Sequence, residues 1–145
     1  MPTTIREIQY GSDEYRQVIR LRFEVLRKPL GLAFSEKQLA KEADDIHIAA
    51  FDGAELAGCI ILTPYNNGKI KMRQAAVLPQ KQRQGIGRLL TEFAEQAARK
   101  RGFSEIILHA RENAVQFYEK SGYQVTGESF IEITLSHRAM SKFIA

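Results

Sequence analysis

The chain has 145 residues, 44% hydrophobic and 26% charged, which suits one soluble domain spanning 1–145 whose core needs no disulfide or structural metal. No apolar stretch reaches membrane-spanning length and Met1-Pro2-Thr3-Thr4-Ile5-Arg6 lacks the apolar centre of a signal peptide, so no membrane partner is expected and the expected location is cytoplasmic. The net charge of +4, from 21 basic and 17 acidic residues, is modest and scattered, which argues against a nucleic-acid partner.

Thr4 to Ile8 alternates and reads as a first strand. Asp13 caps a helix from Glu14 to about Arg27, where Val18, Leu21 and Val25 recur at helical spacing, and Pro29 ends it. Leu30-Gly31-Leu32 makes a turn. Ser35 with Gln38 is a capping-box pattern that opens a short helix from Glu36 to Lys41. His47 to Phe51 is a strand, Asp52-Gly53 a hairpin signal, and Leu56 to Thr63 the partner strand. Cys59, the only cysteine, sits in an apolar run and reads as a small core residue. Lys69 to Leu78 is a further strand, ending at Pro79.

Beyond Pro79, Ile86, Leu89, Leu90, Phe93 and Ala97 mark a helix from Gly85 to Lys100 that Gly102 caps. Ser104 to Ala110 is a short apolar strand, central in the sheet. Glu112 to Lys120 is helical and stops at Ser121-Gly122. Tyr123 to Val125 and Phe130 to about Ile133 are the last strands, the second free to continue to Met140. His47, His109 and His137 stand far apart with no metal-ligand spacing, so no metal is expected. The order β-α-α-β-β-β-α-β-α-β-β contains a strand-helix-strand crossover. It predicts an α/β mixed sheet with at least one parallel pair and helices on both faces.

Chemistry concentrates in Ala75 to Leu90, a strand followed by the basic loop Gln82-Arg83-Gln84-Gly85-Ile86-Gly87 and a helix. A helix N-terminus offers free N–H groups and partial positive charge, which together make an anion site suited to pyrophosphate. Glycine lets the backbone come close, and Arg83 and Arg88 add charge. The P-loop pattern is absent, and the dinucleotide fingerprint fails at Leu90. Taken alone, the loop is an anion site and nothing more.

Its surroundings narrow the reading. Gln82-x-x-Gly85-x-Gly87, with Val77-Leu78-Pro79 before it and Leu89-Leu90 after it, resembles the Gln/Arg-x-x-Gly-x-Gly/Ala signature of the GCN5-related N-acetyltransferases (the GNAT family). Asn113-Ala114-Val115-Gln116-Phe117-Tyr118-Glu119-Lys120-Ser121-Gly122-Tyr123 resembles a second family segment. Val25 to Leu32 and His137 to Met140 resemble the small ElaA-like branch.

The resemblance implies a GNAT-like acyl-CoA N-acyltransferase fold, mostly antiparallel with one splayed parallel pair. It implies acetyl-CoA as cosubstrate and an amine acceptor: a small amine, an amino sugar, or a peptide or protein amine. A homodimer is compatible with it. By resemblance, a bulged strand from Arg73 to Leu78 sets the pantetheine arm beside Ala76, Val77 and Leu78. Gln82, Arg83, Gln84, Gly85, Ile86, Gly87 and Arg88 hold the pyrophosphate. Tyr118 lies at the cofactor and protonates the leaving thiolate, and Phe117 and Tyr123 are core.

Two departures stand out. Many members carry a cofactor-binding Asn seven residues before the tyrosine; here that position is Arg111, and Asn113, five before, is either the contact or a cap. Many also carry a Glu base on the bulged strand, but Met72-Arg73-Gln74 has no carboxylate. His109, His137, Glu24 and Glu132 are the alternatives, with His137 or His109 favoured because an imidazole changes charge near neutrality. Arg22, Arg27 and Lys28 read as a solvated helix face, with recognition of an acidic acceptor as the other use. A noncatalytic acyl-CoA-binding module is the alternative function.

Overall fold

The computed structural model describes residues 3–145; Met1 and Pro2, part of the N-terminal segment read above, lie outside them. In chain order the elements are β1 (Thr3–Ile8), α1 (Asp13–Arg22), α2 (Glu36–Ala40), β2 (Ile46–Asp52), β3 (Glu55–Pro64) and β4 (Lys69–Val77). There follow α3 (Ile86–Lys100), β5 (Glu105–Arg111), α4 (Val115–Lys120), β6 (Gln124–Val125), β7 (Phe130–Glu132) and β8 (Leu135–Phe143). One sheet runs β1-β2-β3-β4-β5-β8-β6, with β7 also against β8. The β4–β5 pair is parallel and every other pair antiparallel, which is the mixed sheet expected from the element order. No helix among the described residues is long and apolar enough to cross a membrane.

Both faces of the sheet are covered. On β2 and β3, Ile48, Ala50, Ile60 and Leu62 face α3, while Ala49, Phe51 and Cys59 face Tyr15, Val18 and Leu21 of α1. That double burial is why these strands read as continuous apolar runs rather than alternating ones. Each fully buried Leu or Ile contributes roughly 1.5–3 kcal/mol. Cys59 is fully buried, as its apolar neighbours predict, and burial pushes its thiol up to about 12.

Three local readings need correction. Ser12, not Asp13, caps α1, its hydroxyl accepting from the Tyr15 N–H at 3.1 Å. The first helix is α-helical only to Arg22 and continues as a π-turn over Phe23–Arg27, closed by the Lys28 N–H on the Phe23 carbonyl. Pro29 has no N–H to extend the ordinary ladder, so the chain widens before it stops. The last strands form a tight hairpin: Glu132 pairs with Leu135 across Ile133 and Thr134, which adopt φ of 49° and 64°. Nothing in Ile-Thr signals such a turn, since β-branched residues are costly at positive φ.

Candidate active site

The parallel pair is joined only from Lys69–Met72 to Glu105–Leu108. Beyond that, β4 stays with β3 and β5 stays with β8, so the two strands part. The cause is a bulge. Between the Ile61–Arg73 and Cys59–Ala76 pairs, β4 advances three residues while β3 advances two. Gln74 takes φ 54°, and its carbonyl receives the Cys59 thiol at 3.6 Å. Gly58 permits the tight approach here, because a Cβ would stand 2.9 Å from the Ala76 carbonyl oxygen and 3.0 Å from Leu90. The parted edges leave main-chain groups that need partners.

A cleft of about 660 Å³ opens along this gap and ends at the N-terminus of α3. Ala76 and Val77 line one side, and Gln82, Arg83, Gly85, Ile86, Gly87 and Arg88 line the end. Gly85 is the N-cap of α3 at φ 82° with no side chain to cap the helix, so the first N–H groups point out unshielded. Gln82 donates through Nε2 to the Val77 carbonyl at 3.0 Å, and Gln84 likewise to the Gln80 carbonyl at 3.3 Å. These amides brace the loop. Arg83 and Arg88 supply mobile charge, Arg88 beside Glu92 at 3.7 Å.

Two expected contacts fall elsewhere. Leu78 packs with the α1 cluster and gives its N–H to the Ala57 carbonyl at 2.9 Å, so it is off the cleft wall. Gln84 faces Gln80 rather than the cleft. Asn113 and Arg111 both line the wall. Phe117, read as core, is 39% exposed and stands over Gly87, where a Cβ would meet its ring at 3.4 Å. An apolar residue on an outer helix position is the signal that was available for it. Tyr123 is core as expected, bonded to Glu95 at 3.0 Å.

A smaller cleft of about 370 Å³ adjoins the first, lined by Met72 to Ala75 of β4 and Leu108 to Arg111 of β5. Tyr118, Ala75, Arg111, Ala114 and Leu26 line both, so the two clefts meet at Tyr118. Burial pushes the Tyr118 phenol up to about 12, which keeps it a proton donor at neutral pH. Three of the four base candidates converge in this smaller space. Glu132 Oε1 is 3.1 Å from His109 Nδ1, and its Oε2 is 4.0 Å from His137 Nε2. His137 is buried and donates through Nδ1 to the Leu135 carbonyl at 2.8 Å, which fixes its tautomer. Phe130 stacks on His137 and meets His109 edge-on. Lys71 Nζ also reaches His109 Nδ1 at 3.3 Å. The fourth candidate, Glu24, is exposed beside Lys28 and lies outside both clefts.

The three basic residues of the first helical stretch do not share a solvated face. Arg22 is fully buried, its two terminal nitrogens bonded to the Glu42 carboxylate at 2.8 and 2.7 Å. Lys28 is exposed. Arg27 is buried and lines the smaller cleft. The π-turn re-aims it, and the helical period alone does not show this.

The acetyltransferase (GNAT) domain model matches residues 22–144. The uncharacterized N-acetyltransferase YjcF of Bacillus subtilis is 29% identical over 136 residues, covering 93% of this chain and 96% of that protein. An aminoglycoside 6'-N-acetyltransferase solved with coenzyme A superposes with a TM-score of 0.82 at 18% identity, covering 98% of this chain and 97% of the other. Escherichia coli ElaA superposes with a TM-score of 0.81 at 15% identity, over 97% and 99% of the two chains. These two likenesses concern the fold.

Proposed function

The chain belongs to the GNAT acetyltransferase family and transfers acetyl from acetyl-CoA to an amine, and we propose that its two clefts divide that task, with Tyr118 at their junction as the acid. Acetyl-CoA supplies an activated acetyl thioester. The larger cleft suits it: the unshielded N–H groups of α3 and the flanking Arg83 and Arg88 fit a pyrophosphate, and the free edge of β4 at Ala76 and Val77 fits a chain of amides. The observation that carries the reading is the shared wall. A group held in the smaller cleft and a thioester held in the larger one would both border Tyr118.

The amine must lose a proton to attack. Glu132 and His109 provide for it. Donating Nδ1–H to Glu132 leaves the His109 Nε2 bare to accept a proton. Lys71 competes for the same Nδ1 and favours the opposite tautomer, so the carboxylate decides which nitrogen is basic. His137 serves as a positioning residue beside Glu132. The acceptor is a small molecule, because the space of about 370 Å³ is the size of a small-ligand site.

The test is release of coenzyme A from acetyl-CoA across a panel of amines, with Tyr118→Phe beside wild type. The variant should lose about 10²-fold or more in kcat, while acetyl-CoA raises its melting temperature as before. An unchanged kcat would remove Tyr118 from the chemistry. Binding of acetyl-CoA with no release to any amine would favour the noncatalytic module.

A further inference from the structure

We propose that the smaller cleft selects an amine that also carries an anionic group, a carboxylate or a phosphate, and that Arg27 and Arg111 bind that group. The proposal rests on the reading of this cleft as the acceptor side. Arg27 is only 7% exposed. An arginine this buried is normally paired, and the Arg27 guanidinium nitrogens, without a hydrogen bond among the described residues, are not sealed from the cleft. Yet among the described residues no carboxylate lies within 4.0 Å of it, and its close contact is the Phe34 ring, 4.5 Å below its guanidinium carbon. Phe34 also contacts Arg22, whose guanidinium carbon stands 4.6 Å from the ring centre.

The surroundings of Arg27 are positive. Burial draws its guanidinium below the ordinary value, and the charges of Arg22, Arg111 and Arg73 push the same way; Glu132 opposes them. Arg111 is held beside it through an N–H donated to the Leu26 carbonyl at 3.2 Å, and it too has no carboxylate partner among the described residues. Lys71 adds a third unmatched cation. Arg73 has a partner, Asp45 at 4.0 Å. Against these four, Glu132 is the one carboxylate on the cleft wall, and it is engaged with His109.

Charges a few ångströms apart in a partly dry cleft interact by several kcal/mol at an effective dielectric of about 20. An incoming anion relieves the repulsion among these cations, and a second cation adds to it. A planar guanidinium suits a carboxylate or phosphate in particular. The same molecule can then present its amine to Glu132 and His109.

Coenzyme A release is compared for β-alanine against β-alaninamide and for phosphoethanolamine against ethanolamine. The anionic member of at least one pair should have a kcat/KM at least about tenfold higher, and the pair with the larger gap identifies the group. Arg27→Gln should raise the KM of that anionic amine by about tenfold and leave its neutral partner within about twofold, while acetyl-CoA still raises the melting temperature. Calorimetry within both pairs, N-acetyl-β-alanine against N-acetyl-β-alaninamide and N-acetylphosphoethanolamine against N-acetylethanolamine, on protein saturated with coenzyme A and on free protein, reads the site without turnover. The pair that differs more is the one scored. Equal or better use of the neutral amines, or equal binding of the two products in the scored pair, overturns the proposal. If acetyl-CoA neither shifts the melting temperature nor yields coenzyme A, the acetyl-transfer reading fails instead. The free-protein titration then decides the anion site alone.

Discussion

The larger cleft takes most of its wall from two short stretches, residues 76–88 and 113–118, and offers largely main-chain groups. Its determinants are an uncapped helix end, two glycines and an unpaired strand edge. The smaller cleft draws on 26–38, 71–75, 108–114, Tyr118 and 132–137, and offers side-chain charge. The contrast follows from what each must hold. A constant cofactor can be bound by N–H groups that any sequence provides once the backbone is shaped. A particular acceptor needs particular side chains, and these come from wherever the fold brings them.

The largest expected effect breaks the main-chain side. Gly85→Asp with Gly87→Asp places an L-residue at φ 82°, a Cβ 3.4 Å from the Phe117 ring and two negative charges at the helix end. All melting-temperature increase from acetyl-CoA should vanish, and the small anion probes should still bind the smaller cleft. Retained cofactor binding would show that the loop is not the pyrophosphate site.

A smaller effect separates two arginines five residues apart. Arg22→Met leaves Glu42 buried without its main partner and should cost about 3–5 kcal/mol in urea unfolding. Arg27→Gln should cost much less and change acceptor preference instead. The Arg22 effect has a pH signature. Burial alone would raise the Glu42 carboxyl, but the hydrogen bonds and charge of Arg22 outweigh it and hold it below the ordinary value of 4.5. The stabilisation is therefore complete above that value and lost as pH falls through the lower folded value. The variant, with Glu42 free to take up a proton, should close the gap on wild type as the solution is acidified; a gap independent of pH would contradict the pairing.

The smallest effect sharpens the side-chain side. Glu132→Gln keeps the shape of the cleft and an oxygen that can accept from His109 Nδ1–H, but removes the negative charge that stabilises the imidazole once it has taken up a proton. It should lower kcat by roughly tenfold and leave the thermal shift with acetyl-CoA unchanged. An unaltered rate would leave His109 without a positioning partner.

The difference between the clefts also decides how much of each was legible. The helix end at Gly85 lies within a local pattern, since a glycine loop before an amphipathic helix is set by neighbouring residues, whereas the bulged strand and the place of Tyr118 were expected only from the family resemblance. Leu78 was expected beside the cleft with Ala76; it shares the Ala76 face, but it lies just past the end of β4, where its N–H turns to the Ala57 carbonyl. Glu132 was a candidate by its chemistry, but its neighbours His109 and His137 become so only when β5, β7 and β8 pair side by side. The Ile133-Thr134 turn that aligns them runs against local preference and is imposed by that pairing.

The sequence by itself determined the element order and the mixed sheet with covered faces, because these depend on periodicity, and it marked a glycine-bearing helix end suited to an anion. Acetyl-CoA and the donor chemistry followed only from the resemblance to the GNAT family. Only the tertiary structure decided which of three nearby basic residues is buried in an ion pair, which is solvated and which lines the smaller cleft. That choice depends on a π-turn and on partners as far away as Glu42, Arg73 and Arg111, whose positions no local pattern encodes.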